Sequence, residues 1–126
     1  TYISNMSNCR INQPGRKELR EKGFEFFMRF TKTKIPMVAI ENPRGLPERR
    51  WRLADQIIQP FQFGHPASKA TCLWLKGLPK INPTKLVTPE RAWDGKRWRT
   101  WVDVTPAKMR SITFQGIANA MAEQWG

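Results

Sequence analysis

The sequence predicts an α/β fold with about three strands and two main helices, in a single domain covering residues 1–126. The chain has 126 residues, which is the length of one ordinary domain. Short apolar runs typical of buried strands alternate with segments of helical periodicity. Hydrophobic residues make up 40% of the chain and aromatic residues 11%, a composition that excludes a disordered tail.

The first main helix is predicted over residues 16–32, directly after the turn signal Pro14-Gly15. Charged side chains fall mostly on one side of this segment. Four apolar side chains and a glycine recur at helical spacing on the other side: Leu19, Gly23, Phe26, Phe27 and Phe30. The pattern is typical of a helix that packs one apolar face on the rest of the protein.

Three short apolar runs are predicted to be strands. Residues 35–40 form a continuous apolar run, as expected of a strand buried on both faces in a parallel sheet. Residues 41–45 would follow as a polar loop at its carboxyl end, the edge where open α/β sheets bind ligands. Residues 59–63 and 70–75 are predicted as the other two strands, and residues 46–58 as a short helix.

The remainder of the chain contains a turn signal and the second main helix. Asp94-Gly95 is a tight-turn signal in the middle of a basic and aromatic stretch. The helix is predicted over residues 113–125, with these side chains on one face: Phe114, Ile117, Met121 and Trp125. Because doubly wound sheets usually have five or more strands, the chain looks like half of such a fold.

The charge of the chain predicts a polyanionic partner. Lys and Arg total 22 against 10 Asp and Glu, for a formal net charge of +12. Residues 1–60 carry 12 basic and 6 acidic groups, and residues 61–126 carry 10 and 4, so both halves are equally positive. This excess favours nucleic acid over an acidic protein or a membrane. No apolar run approaches the roughly 20 residues that span a bilayer, and we expect a cytoplasmic protein without a membrane partner.

Residue spacing alone offers few candidates for catalysis. His65 is the only histidine, and a lone histidine beside a proline is more often structural than catalytic. Cys9 and Cys72 are too isolated for a zinc site, so we predict no metal. Glu41 stands out because it follows a predicted strand and precedes an amide. Its structural alternative is to pair with a nearby arginine or to cap the next turn, and spacing alone favours that alternative.

Several blocks of the sequence resemble one family. The longest are AIENPRG at 39–45, DQIIQP at 55–60, TCLWLKGLP at 71–79 and AMAEQWG at 120–126. They are similar to phage and prophage proteins described as DNA cytosine methyltransferase-like. The resemblance implies a partial Rossmann-like methyltransferase fold, of which this chain would be the C-terminal half, acting on DNA in the cytoplasm of a host cell.

The same resemblance implies roles for three residues. In cytosine-C5 methyltransferases, a Glu-Asn pair after a strand holds the flipped base, and Glu41-Asn42 matches that position. Hydrogen bonding to the ring nitrogen makes the neighbouring carbon electrophilic, so that a cysteine thiolate can add to it. These enzymes also line the S-adenosylmethionine pocket with a Gly-Asn-Ala segment. Residues 116–120 look similar, although two residues separate their Gly and Asn, and this implies a cofactor contact by Asn119.

The resemblance also implies that parts of the enzyme are missing. Residues 1–5 resemble the segment that follows the Pro-Cys nucleophile of the family, and this chain contains neither that nucleophile nor the S-adenosylmethionine loop. We therefore expect the 126 residues alone to be inactive, with a missing N-terminal half as one partner. The alternative is a non-catalytic phage-encoded binding or inhibitor protein derived from this fold, with a homodimer covering its unpaired apolar face.

DNA contacts are predicted in a basic and aromatic insert at residues 80–110, where such enzymes place their DNA-reading segment. Basic side chains would contact phosphates and aromatic side chains would stack on bases. The residues predicted to do so are Arg91, Lys96, Arg97, Trp98, Arg99, Trp101 and Arg110. The alternative is a hairpin whose tryptophans, including Trp93, pack on the core with the charges outward. The sequence leaves both interpretations open.

Overall fold

The computed structural model describes residues 3–126, except for the side chains of Met6 and Asn8, and divides them into two compact units. The sheet unit comprises the residues up to Ile57 together with Thr71–Leu78. The hairpin unit comprises Ile58–Ala70 and Pro79–Gly126. The fold is mixed α/β, as predicted. The first two of residues 1–5, which resemble the segment after the nucleophile, lie outside the described residues.

The sheet unit contains a three-stranded sheet in the order β1-β3-β2, except for Ile58 at the end of β2. The strands are β1 (Val38–Pro43), β2 (Gln56–Ile58) and β3 (Thr71–Lys76). The prediction of a parallel strand buried on both faces at residues 35–40 is wrong. β1 runs antiparallel to β3, with Val38 opposite Lys76, and its residues alternate between the covered and the exposed face. Glu41 therefore lies inside an antiparallel strand, not in a loop after a parallel one.

Three helices complete the sheet unit: α1 (Asn5–Asn8), α2 (Arg16–Thr31) and α3 (Leu46–Arg50). The prediction of α2 is confirmed, but its apolar face is rotated from the predicted one. Phe27 is buried in the core, whereas Phe26 and Phe30 are exposed. The single helix predicted over residues 46–58 is wrong, because α3 ends at Arg50 and the last part of the segment is strand β2.

The core of the sheet unit is aromatic. Trp74 from β3 lies at its centre, with its ring centroid 5.1 Å from that of Phe27 and 6.2 Å from that of Trp51. Cys72 and Leu46 belong to the same buried cluster. Burial of a phenylalanine or tryptophan side chain contributes several kcal/mol, roughly 3–5 on truncation to alanine, so this cluster anchors the unit.

The hairpin unit contains two short strands and three helices. They are β4 (Ala92–Trp93), β5 (Trp98–Arg99), α4 (Trp101–Val104), α5 (Ala107–Arg110) and α6 (Gln115–Trp125). The turn at Asp94-Gly95 and the C-terminal helix are both confirmed. The strand predicted at residues 59–63 is wrong. Pro60 has no N–H for a strand ladder, and it starts a 3₁₀ turn, Pro60–Gln62.

Close backbone contacts hold α6 in the hairpin unit. His65 Nε2 accepts the Gly116 N–H at 2.9 Å. A Cβ atom at Gly116 would lie 2.0 Å from the carbonyl oxygen of Phe63, so only glycine allows this approach. At the other end of the helix, Gln124 exchanges two hydrogen bonds with the backbone of Asn82, at 2.8 and 2.9 Å. The prediction that His65 has a structural role is therefore confirmed.

Candidate nucleic-acid interface

The basic and aromatic stretch folds into a β-hairpin, here called the Trp hairpin (residues 91–99). β4 pairs antiparallel with β5, so that Trp93 lies opposite Trp98 and Ala92 lies opposite Arg99. Gly95, with φ +94°, takes the left-handed position in the turn between them. The Asp94 N–H donates to the Arg97 carbonyl at 3.2 Å and closes the turn.

The Asp94 carboxylate fixes the conformation of this turn. Its Oδ1 accepts the backbone N–H groups of Lys96 and Arg97, each at 2.9 Å. Its Oδ2 pairs with the guanidinium of Arg99. The backbone hydrogen bonds from Arg97 and Lys96, followed by the side-chain bond from Arg99, lower the pKa of Asp94 to about 2. The turn is thus organised by contacts made within the hairpin itself.

The two tryptophans of the hairpin are exposed. Their ring centroids are 5.7 Å apart with an interplanar angle of 60°. Trp93 is 57% exposed and Trp98 60% exposed. The alternative that these tryptophans pack on the core is therefore wrong for this pair, although it fits the half-buried Trp101, whose ring lies 5.0 Å from that of Phe114. Exposed aromatic surface of this kind is a common sign of a binding site.

The basic residues of the hairpin differ in what they contact. Arg99 pairs with Asp94, and Arg97 Nη2 lies 3.9 Å from Asp103 Oδ1. Arg91 and Lys96 are exposed, and neither takes part in any ion pair among residues 3–126. Their charges are therefore the ones most directly available to phosphate groups.

Two further residues that are predicted to contact DNA, Trp101 and Arg110, lie in the segment that follows the hairpin. Trp101 begins α4, whose N-terminus is capped by Thr100 and Asp103 in a reciprocal capping box. The Thr100 N–H donates to Asp103 Oδ2 at 2.8 Å, and this bond lowers the pKa of the Asp103 carboxyl. Arg110 Nη1 donates to the Val102 carbonyl at 3.1 Å. The guanidinium of Arg110 thus has a structural contact within the unit, and its contact with DNA stays a prediction.

The residues predicted to hold a base lie in the sheet unit. Glu41 is exposed on β1, whereas Asn42 is only 2% exposed and its Nδ2 donates to the Pro43 carbonyl at 2.6 Å. Asn42 lies opposite Cys72 in the strand register. Burial, with the nearby Glu48 carboxyl, raises the pKa of the Cys72 thiol to about 12, so this cysteine is not an activated nucleophile.

The residue predicted to contact a cofactor lies in the hairpin unit. Asn119 is exposed on α6, and its Oδ1 accepts a hydrogen bond from Gln115 Nε2 at 2.7 Å. The space beside Gly116, the other residue of the matched segment, is occupied by Phe63 and His65. These contacts do not fit an S-adenosylmethionine molecule lying against Gly116.

A pocket of about 230 Å³ opens in the sheet unit. Its walls are mainly apolar and include Phe30, Ile40 and Trp51. The two basic residues in its lining have partners: Arg52 pairs with Asp55 at 2.8 Å, and Lys76 Nζ donates to the Thr33 carbonyl at 2.7 Å. The pocket therefore offers a small apolar surface, and both basic side chains in its lining are already engaged in contacts within the unit.

The part of the chain that the structure describes has neither a metal cluster nor a membrane-spanning helix. Within residues 3–126, no group of three or more His, Cys, Asp or Glu side chains is arranged to hold a metal ion. No helix in the same part of the chain is both long and apolar enough to cross a membrane. In addition, no protein-family model, curated protein or solved structure matches the chain. The resemblance to methyltransferase-like proteins therefore rests only on the blocks of sequence described above, such as residues 39–45 and 71–79.

Proposed function

We propose that this protein binds DNA through the Trp hairpin and the basic residues around it. One observation carries the proposal: two tryptophan side chains lie exposed and side by side on a hairpin whose turn is fixed by Asp94. Large apolar side chains exposed to water contribute little to folding stability. A binding partner that covers them accounts for their place on the surface.

The surrounding charge favours a nucleic acid as that partner. Residues 80–110 contain eight basic and three acidic side chains. Arg91 and Lys96 each stand two residues before a tryptophan in the sequence, and both are exposed. Alternating cations and aromatic rings match the chemistry of a nucleic acid strand, which presents phosphates and base faces together.

Salt dependence tests this proposal. Binding of a labelled single strand and of the matching duplex is measured by fluorescence anisotropy over a range of salt concentrations. We expect affinity to fall steeply with salt, with a slope of about 0.9 per phosphate contacted on duplex DNA. The double variant R91A/K96A removes two phosphate contacts and should lower that slope by about two.

The control for net charge is K22A/K32A, which removes two exposed lysines at α2. We expect a smaller loss of affinity from this control than from R91A/K96A. Equal losses for the two variants would mean that general charge, and not the hairpin, attracts DNA. Failure of the wild-type protein to bind either DNA at low salt would refute the proposal.

A more specific proposal rests on the sequence blocks that resemble methyltransferase-like proteins. We propose that the chain is the C-terminal half of a Rossmann-like DNA cytosine methyltransferase, with Glu41 contacting the base and Asn42 supporting the strand from its buried position. The exposure of Glu41 on β1 supports this division of roles. Calorimetry with S-adenosylmethionine tests it: we expect no binding by this chain alone, and binding once an N-terminal half is supplied. No binding to the mixture would reject the more specific proposal.

Exposed apolar residues of the sheet unit favour one alternative, a non-catalytic binding protein that dimerises. Leu19, Phe26 and Phe30 on α2 and Met37 before β1 are all exposed. A second copy covering them would remove this surface from water. Solution mass tests the alternative, because a monomer at high protein concentration would reject it, whereas a stable dimer that loses its partner in F26A/F30A would support it.

A further inference from the structure

The Trp hairpin separates its aromatic and polar side chains. Successive residues of a strand point to opposite faces, and residues paired across strands share a face. Trp93 and Trp98 therefore share one face of the hairpin, and Ala92 and Arg99 share the other. The aromatic face presents two indole rings 5.7 Å apart and more than half exposed.

The turn holds this aromatic face in place before any ligand arrives. Asp94 accepts two backbone N–H groups and pairs with Arg99, so the two strands are fixed by contacts inside the hairpin. A preorganised surface loses little conformational entropy on binding. The face is thus suited to stack on flat groups that approach from solution.

The paired strands of the hairpin carry few groups for reading base edges in a groove, because the other basic residues lie at its start and in its turn. Duplex readout in the major groove depends mainly on Arg, Lys, Asn and Gln side chains that reach base edges, often with two hydrogen bonds. Arg99 is the only long polar side chain paired within the strands, and Asp94 occupies it. Indole rings offer aromatic faces and a single N–H. In a duplex, base faces are covered by neighbouring bases, whereas an unpaired strand leaves them open.

We propose that the Trp hairpin selects single-stranded DNA, with Trp93 and Trp98 stacking on unpaired bases and Arg91 and Lys96 contacting the adjacent phosphates. This inference rests on the proposed DNA-binding function and adds to it the form of DNA that is bound. Because every base has an aromatic face, the preference for sequence should be weak.

The first test varies the DNA and leaves the protein unchanged. Three labelled DNAs are compared by anisotropy: a thymidine strand of roughly 12 nucleotides, the same backbone with abasic sites in place of bases, and a duplex of equal length. The abasic strand keeps the phosphates and removes the base faces. We expect the intact strand to bind roughly tenfold or more tightly than either of the others.

The second test changes the tryptophans. W93A and W98A should each lower affinity for the thymidine strand by roughly fivefold or more, and should leave affinity for the abasic strand unchanged. W93F and W98F keep a stacking ring and should lose less. V104A is the matched control, because Val104 is an exposed apolar side chain of the same unit outside the hairpin. This control should bind like the wild type.

The outcomes separate this inference from the proposal on which it rests. Equal affinity for the intact, abasic and duplex DNAs overturns the inference and leaves DNA binding standing. Tighter binding to duplex overturns the inference in the same way, and tighter binding to an RNA strand of the same sequence overturns the choice of DNA. No binding to any nucleic acid overturns both proposals. Because the abasic comparison uses unaltered protein, misfolding of a tryptophan variant does not obscure the result.

Discussion

The two units of this protein use pairs of tryptophans in opposite ways. In the sheet unit, Trp51 and Trp74 lie 6.2 Å apart at the core, and Trp74 is 1% exposed. In the hairpin unit, Trp93 and Trp98 lie at a similar separation and are more than half exposed. The sheet unit is held by aromatic burial, whereas the hairpin is fixed by the Asp94 side chain, which accepts two backbone N–H groups and pairs with Arg99. Residue type alone therefore does not distinguish a buried tryptophan pair from an exposed one.

The largest expected effect is on the sheet unit. Trp74→Ala should lower its free energy of unfolding by about 3–5 kcal/mol, because it removes the central ring of the aromatic core. Trp98→Ala should cost less than about 1 kcal/mol, the value of one cross-strand pair. Urea denaturation followed by circular dichroism measures both. Similar losses for the two variants would mean that the exposed pair also stabilises a core, and the comparison would fail.

The second prediction concerns the close contacts of the hairpin unit. Gly116→Ala should lower the stability of this unit by about 1–3 kcal/mol, because its Cβ atom would collide with the Phe63 carbonyl oxygen. Asn119→Ala on the same helix removes an exposed side chain and serves as the control. Thermal unfolding measures the difference. A Gly116→Ala variant as stable as the control would show that α6 does not depend on this approach.

The smallest expected effect comes from pH. The folded-state pKa of Asp94, about 2, lies below its ordinary value of 3.8, so the stabilisation by its carboxylate is present above pH 4 and is lost as pH falls from there toward 2. The protection of the Lys96 and Arg97 amides, relative to their intrinsic exchange rates at each pH, should therefore fall over this range. The same change should be absent in Asp94→Ala, which lacks the carboxylate at every pH. Unchanged protection in the wild type would contradict the proposed role of Asp94.

Local features of the sequence were sufficient to predict some elements. The helices α2 and α6 follow from 3.6-residue periodicity, and the hairpin turn follows from Asp94-Gly95, because these signals depend on neighbouring residues. The direction of β1 does not follow in this way. An apolar run reveals that a strand is covered, but its partner comes from a distant segment, here residues 71–76.

The candidate site also combines features that the local sequence predicts with features that depend on distant segments. The basic and aromatic stretch was recognisable, but the exposure of Trp93 and Trp98 depends on which other segments cover the hairpin, and no local pattern encodes that. The ion pair between Arg99 and Asp94 has a signal in the local sequence, because Asp94 precedes Arg99 by five residues across a turn signal. The contact of His65 with Gly116 joins residues 51 apart in sequence, beyond the reach of any spacing rule.

The hydrogen bond from the Gly116 N–H to His65 also fixes where the imidazole carries its proton. Because Nε2 accepts this bond, the neutral ring must hold its hydrogen on Nδ1. The lone pair through which Nε2 would bind a metal ion is committed to the first turn of α6. The single histidine of the chain is therefore a tautomerically locked acceptor for the backbone, and chemistry at Nε2 would require the helix to release it first.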